Sequence, residues 1–127
     1  MTFAHLTIPT RNVNQTRDFF IRVMGWKNIR MPGNIDLEAA WLEISPGQQL
    51  HILRIEDAPA PDDQEFGRHY AFFHPGSDFN ALEDRVTRHG GVIVQPIRET
   101  PFQRIFFRDP NGYLFELIDQ DGYQTEN

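Results

Sequence analysis

Cysteine is absent from this 127-residue chain, which excludes disulfides, thiolate catalysis and thiolate metal sites. Basic charge is also scarce. Lys27 is the only lysine, the arginines are scattered, and the formal net charge is −6, so no cationic footprint for nucleic acid exists. No apolar run approaches the length of a membrane span. The first residues, Met1-Thr2-Phe3-Ala4-His5, show no basic segment leading into an apolar core, so no signal peptide is expected. These absences together predict a soluble, cytoplasmic protein with neither nucleic-acid nor membrane partners. What is plentiful is core material. The hydrophobic fraction is 39%, with eleven phenylalanines, enough for one packed domain and too little chain for two independent ones.

The pattern along the chain predicts a strand over Phe3–Ile8 that ends at Pro9, with His5 and Thr7 on one face and Leu6 and Ile8 on the other. Asn12 to Asn14 offers helix caps, Phe19, Phe20, Val23 and Met24 follow helical spacing, and Gly25 stops the helix. A strand near Trp26–Arg30 precedes a hairpin, Ala40–Ile44 and Gln49–Ile55, turning at Ser45-Pro46-Gly47. Acidic residues and prolines from Glu56 to Gly67 read as a solvated linker. The pattern then restarts. A strand over Arg68–His74 leads to a helix capped by Ser77 or Asp78, with Phe79, Leu82, Val86 and His89 on its buried side and Gly90-Gly91 at its end. Strands follow over Val92–Ile97, Gln103–Arg108 and Tyr113–Asp119, the last two joined by the turn Asp109-Pro110-Asn111-Gly112.

Each half is therefore βαβββ, and the repeat is checkable residue by residue. A shift of 65 lays Trp41–Gly47 over Phe106–Gly112 and His51 over Glu116, and a shift of 64 lays His5 over His69. The expected organisation is one domain over 1–127: module one 1–57, linker 58–67, module two 68–120 and a polar tail 121–127. Glu116 alternates with Leu114 and Ile118 on one strand face. A carboxylate placed there needs a cation or hydrogen-bond donors, because burying it unpaired costs several kcal/mol. Arg104 is one possible partner. The other is a metal. If the halves are related by a pseudo-twofold, their first and last strands present His5, His51, His69 and Glu116 to one cavity. Imidazoles with one carboxylate suit Fe(II), Mn(II), Zn(II), Ni(II) or Co(II), whereas Ca(II) and Mg(II) prefer all-oxygen sites. His74 and His89 have no repeat partner and stay outside this set. Strand parity places Thr7, Leu53, Ala71, Phe73, Leu114 and Ile118 on the ligand faces as candidate pocket lining, with Phe106 beside them.

Two stretches, His5-Leu6-Thr7-Ile8-Pro9 leading into Asn14–Trp26, and Phe107–Ile118 with its Asp-Pro-Asn-Gly turn and Glu116, resemble the vicinal oxygen chelate superfamily. That group holds glyoxalase I, extradiol dioxygenases, methylmalonyl-CoA epimerase, fosfomycin resistance enzymes and bleomycin-binding proteins. The resemblance covers nearly all of residues 1–120. It implies an α+β fold of two βαβββ modules forming a curved mixed sheet around a central cavity, commonly in homodimers and sometimes with modules swapped between chains. It also implies His5, His69 and Glu116 as metal ligands. His51 stands where glyoxalase I carries a ligand glutamate and methylmalonyl-CoA epimerase a glutamine. In extradiol dioxygenases a histidine near the end of the first module serves as acid/base, so His51 is either a proton carrier or a fourth ligand. The tyrosine that those dioxygenases carry ahead of the last ligand is Phe106 here. The expected function is that of a divalent-metal-dependent dioxygenase, lyase or isomerase whose small substrate chelates the metal through neighbouring oxygens. The alternative is a sequestering protein of the bleomycin-resistance type, without chemistry.

Overall fold

The computed structural model describes residues 2–123. The end of the expected tail, 124–127, lies outside the described residues. The chain divides into two compact units, Met1–Pro59 and Ala60–Asn127. Each is one βαβββ module, as the repeat predicts.

The first unit runs β1 (His5–Thr10), α1 (Val13–Met24), β2 (Lys27–Ile29), β3 (Ala39–Ser45) and β4 (Gln48–Arg54). Its sheet has the order β1-β4-β3-β2, with β1 parallel to β4 and the other pairs antiparallel. The Asn12 side chain caps α1 by accepting from the Gln15 N–H, and Gly25 ends it at φ 71°. The helix buries Val13, Thr16, Phe19, Phe20 and Val23. These cover the sheet parity that carries Leu6, Ile8, Leu42, Leu50 and Ile52, all buried, which leaves the opposite parity for His5 and His51. Pro9 does not end β1 as expected but pairs within it, opposite Leu53. A terminal strand has one side outside its own ladder, where a missing N–H costs nothing.

The second unit runs β5 (Tyr70–His74), a 3₁₀ turn, α2 (Phe79–Arg88), β6 (Val92–Val94), β7 (Arg104–Arg108) and β8 (Leu114–Asp119). The sheet order is β5-β8-β7-β6, with β5 parallel to β8. The positive-φ glycines make the repeat visible in the backbone. Gly25 and Gly90 form one pair, Gly47 and Gly112 the other, each separated by 65 residues. Strand β6 stops at Val94, short of the expected Ile97. Pro96 cannot donate to a ladder, and the N–H groups of Ile97 and Arg98 bond the Glu65 carboxylate at 2.7 and 2.9 Å.

The acid- and proline-rich stretch is less solvated than its composition suggests. Asp63 is fully buried. Its Oδ2 accepts the Leu114 N–H at 3.1 Å, its Oδ1 accepts from Arg68 at 3.1 Å, and its carbonyl accepts from Arg108 at 3.0 Å. One carboxylate thus fastens residues 60–67 to the start of β8, at a position that β5 does not reach.

Asp78 sits at the N-terminus of α2 but makes no side-chain cap bond. Its carboxylate takes two bonds from Arg85 and one from His74 Nε2 at 2.8 Å. Arg85 is the main cause that holds its pKa at about 2, against the opposing effect of burial and with help from His74. A depressed carboxyl pKa stabilises the fold above the ordinary value near 4, and that contribution disappears as pH falls toward 2. About a third of the side chain is exposed, so solvent screening reduces the contribution to about 1 kcal/mol. Asp78→Asn is expected to remove that amount at pH 7. Urea midpoints for the two proteins should then converge between about pH 4 and pH 2.

Candidate functional site

In the first unit, parallel pairing sets Thr7 opposite His51 and His5 opposite Gln49, while the β3–β4 hairpin sets Trp41 opposite His51. The imidazole of His51 is consequently flanked from two strands. The His5 ring stacks on it at 4.0 Å between centroids, and the Trp41 indole at 3.5 Å. Its Nε2 lies 2.9 Å from Gln49 Oε1. Burial lowers the His51 pKa, and the nearby His5 lowers it further, so the ring is neutral at physiological pH. Trp41 Nε1 is buried with no hydrogen-bond partner. An orphan donor of this kind costs about 1–3 kcal/mol.

In the second unit, His69 immediately precedes β5, and Ala71 pairs with Glu116, which pairs in turn with Phe106. His69 and Glu116 thus repeat the diagonal placement of His5 and His51. Here the two side chains meet directly: His69 Nε2 is 3.0 Å from Glu116 Oε1. The other ring nitrogen, Nδ1, faces the Gln64 carbonyl at 3.3 Å. Glu116 Oε2 accepts from Arg104 at 3.0 Å, and both side chains are buried. Arg104 lies over the Phe106 ring at 5.2 Å. It also donates to the Arg98 carbonyl and reaches Glu65 at 3.5 Å. Burial pushes the Glu65 carboxyl up, but the N–H groups of Ile97 and Arg98 and the charge of Arg104 outweigh it and leave the pKa lowered.

The anticipated ligand candidates thus fall two to a unit, His5 with His51 and His69 with Glu116. Within either unit alone, no three His, Asp or Glu side chains among the described residues are arranged to hold a metal. The expected pocket residues divide likewise. Thr7 and Leu53 lie in the first unit, exposed and half-buried respectively. Ala71, Phe73, Phe106, Leu114 and Ile118 lie in the second, where Phe106 and Leu114 are buried and Phe73 is 58% exposed. Arg104 does pair with Glu116, the non-metal partner that the sequence allowed. His74 pairs with Asp78, and His89 is the C-cap residue of α2.

Sequence reasoning missed Trp41, Gln49, Gln64 and Glu65. The hairpin around Pro46-Gly47 was signal enough for the first two, because its register puts Trp41 across from His51 and leaves Gln49 two residues away on the same face. Nothing local marks Gln64 or Glu65, which act from an irregular segment. An open cleft of about 350 Å³ lies beside this network, lined by Pro96, Arg98, Glu99, Thr100, Phe102 and Arg104.

Two βαβββ modules whose equivalent strands carry matched His/His and His/Glu pairs define a recognisable class. The chain belongs to the glyoxalase/bleomycin resistance protein/dioxygenase superfamily, whose family model matches residues 2–117. It is 25% identical to "Glyoxylase I 4" of Arabidopsis thaliana, over 92% of this chain and 70% of that protein. With lactoylglutathione lyase of Escherichia coli O157:H7 it shares 24% identity over 94% and 93% of the two chains. Among solved structures, the genomically encoded fosfomycin resistance protein FosX of Listeria monocytogenes superposes with a TM-score of 0.77 at 18% identity. That match covers 93% of this chain and 90% of FosX. A single-residue mutant of FosX, solved with Mn(II) and 1S,2S-dihydroxypropylphosphonic acid, superposes at 0.75 with 18% identity, over 93% of this chain and 89% of that one. These likenesses establish the fold. Among the described residues, no helix is long and apolar enough to cross a membrane.

Proposed function

We propose that this chain is a divalent-metal-dependent enzyme acting on a small substrate with two neighbouring oxygens, in the manner of a glyoxalase or an extradiol dioxygenase. His5, His69 and Glu116 would hold the metal, one of Fe(II), Mn(II), Zn(II) or Ni(II). The observation that carries this reading is the environment of His69. Both of its ring nitrogens face acceptors, the Gln64 carbonyl and the Glu116 carboxylate. A neutral imidazole has one N–H to give. With that hydrogen on Nδ1, the lone pairs of Nε2 and Glu116 Oε1 converge and call for a cation. Their 3.0 Å separation matches the roughly 3.0 Å expected of adjacent octahedral donors that each lie about 2.1 Å from a common ion, and is shorter than the roughly 3.4 Å of a tetrahedral pair. An outer carbonyl on Nδ1 is also the usual second contact of a metal-ligating histidine.

When bound, the metal would supply Lewis-acid stabilisation of negative charge on a substrate oxygen. The chain's own residues do the rest. Glu116 is oriented by Arg104, and Gln64 sets the His69 tautomer. His51, neutral and held between Trp41 and His5, donates its Nε2–H to Gln49 Oε1, which leaves Nδ1 as the ring nitrogen with a lone pair to accept or return a proton. The orphan Trp41 N–H is a donor that a bound molecule could satisfy. Because His51 stands where the resemblance places a glutamate in glyoxalase I, lactoylglutathione chemistry is the less favoured branch. Assembly as a homodimer, with modules of two chains completing one site, belongs to the same proposal.

A second reading has its own observation. Arg104 already neutralises Glu116, which suits a protein of the bleomycin-resistance type that binds a small molecule without metal or chemistry. Two assays run together divide the options: O2 uptake with catechols under Fe(II), and loss of the methylglyoxal–glutathione hemithioacetal under Zn(II) or Ni(II). Turnover in either, abolished in His51→Ala, is the expected result. No turnover together with tight binding of an apolar ligand to metal-free protein would favour the second reading.

A further inference from the structure

Glu116 shares its charge with Arg104, and a guanidinium 3.0 Å away cancels much of the attraction that a carboxylate has for a divalent cation. Glu65 lies on the far side of the same guanidinium, at 3.5 Å. Two carboxylates around one guanidinium leave a net charge of −1 beside His69. All three side chains are at most 9% exposed, so their charges are weakly screened. Glu65 is also fixed from behind by the N–H groups of Ile97 and Arg98. Those residues belong to the loop from Gln95 to Gln103, whose Pro96, Arg98, Glu99, Thr100 and Phe102 line the 350 Å³ cleft.

We infer that Glu65 and Arg104 form a positioning relay that turns Glu116 Oε1 toward a metal and ties metal occupancy to the order of the loop lining the cleft. The inference rests on the metal reading above. Arg104 takes Oε2 of Glu116 and thereby leaves Oε1 as the oxygen facing His69 Nε2. Glu65 restores the negative charge that Arg104 removes. Three consecutive residues divide the work: Asp63 anchors the segment to β8, Gln64 sets the His69 tautomer, and Glu65 completes the relay. Coupling between metal and loop is reciprocal by linkage: if an ordered relay favours the metal, the metal favours the ordered relay.

The test is Mn(II) titration of the full chain, followed by electron paramagnetic resonance of free Mn(II), with metal-free melting temperatures measured in parallel. Glu65→Gln keeps the size of the side chain and removes its charge. It is expected to raise the Mn(II) Kd by about 10- to 100-fold, the usual range for outer-shell partners, and Glu65→Asp is expected to recover part of that loss. Asp84→Asn, which removes the same charge from the exposed Arg88–Asp84 pair, should change Kd by less than about twofold. Amide exchange of Ile97 and Arg98 in the unchanged chain should slow when Mn(II) is added. A Glu65→Gln variant with an unaltered Kd, or amide exchange indifferent to a bound metal, would overturn the relay while leaving the metal site in place. Absence of saturable binding by the unchanged chain of Mn(II), and of Fe(II), Zn(II) and Ni(II) offered in its place, would overturn the metal reading and the relay together.

Discussion

Glu116→Gln is expected to lower divalent-metal affinity by more than the roughly 10- to 100-fold that outer-shell substitutions cost. The glutamine keeps the shape and one oxygen of the carboxylate but loses the only negative charge in the proposed ligand set. The substitution should also destabilise the metal-free protein. Arg104 is 4% exposed and would lose its nearest anionic partner. Removing one member of a buried ion pair costs about 3–5 kcal/mol. Glu65 and the Arg98 carbonyl remain as partners, so about 2 kcal/mol is the expected loss. The two effects separate experimentally: isothermal titration well below the melting temperature reads affinity, and urea unfolding without metal reads stability. A variant that lost stability but retained its metal would show that Glu116 serves Arg104 alone.

Asp63→Ala carries the second large expectation, a loss of about 3 kcal/mol in urea unfolding. The buried Leu114 N–H would be left without an acceptor, at about 1–3 kcal/mol, and the segment from Ala60 to Gly67 would lose its fastening to β8. The exposed Arg68 adds little, since it is mostly in water. Asp63→Asn retains an acceptor oxygen and should cost about half as much. Because Gln64 and Glu65 follow directly, Asp63→Ala should also weaken metal binding, although Asp63 itself touches neither His69 nor Glu116. If the alanine variant unfolded at the wild-type urea midpoint, the burial and bonding ascribed to Asp63 would carry no weight.

The fold was legible because its punctuation is chemical and local. Gly25, Gly47, Gly90 and Gly112 each adopt the positive φ that favours glycine, and they recur at the same interval as the hydrophobic pattern. Asn12 caps α1 as its residue type suggests. The misplaced boundaries came from prolines and long-range contacts. Pro9 reads as a terminator, yet in a terminal strand its missing N–H is harmless. The end of β6 depends on Glu65, more than thirty residues away in sequence. Composition made residues 56–67 look solvated because one aspartate, held by an N–H far along the chain, leaves no trace in a local average.

For the site, the repeat itself was the signal. A histidine at one place is unremarkable, but His5 over His69 and His51 over Glu116 put four ligand-type side chains at equivalent places. The structure bears out the equivalence within each module, through the registers Thr7–His51 and Ala71–Glu116. The polar surroundings were less legible. Arg104 was foreseen as a partner because it lies on the strand next to Glu116. Glu65 and the Gln64 carbonyl were not, since an irregular segment has no parity from which to infer a face.

Metal content tests the central claim most directly. Protein purified without chelators, then stripped and offered Fe(II), Mn(II), Zn(II) or Ni(II) in turn, can be assayed by inductively coupled plasma mass spectrometry. About one ion per chain for at least one of these metals, lost in Glu116→Gln and in His69→Ala, is the predicted result. Less than about a tenth of an equivalent for every metal offered would contradict it.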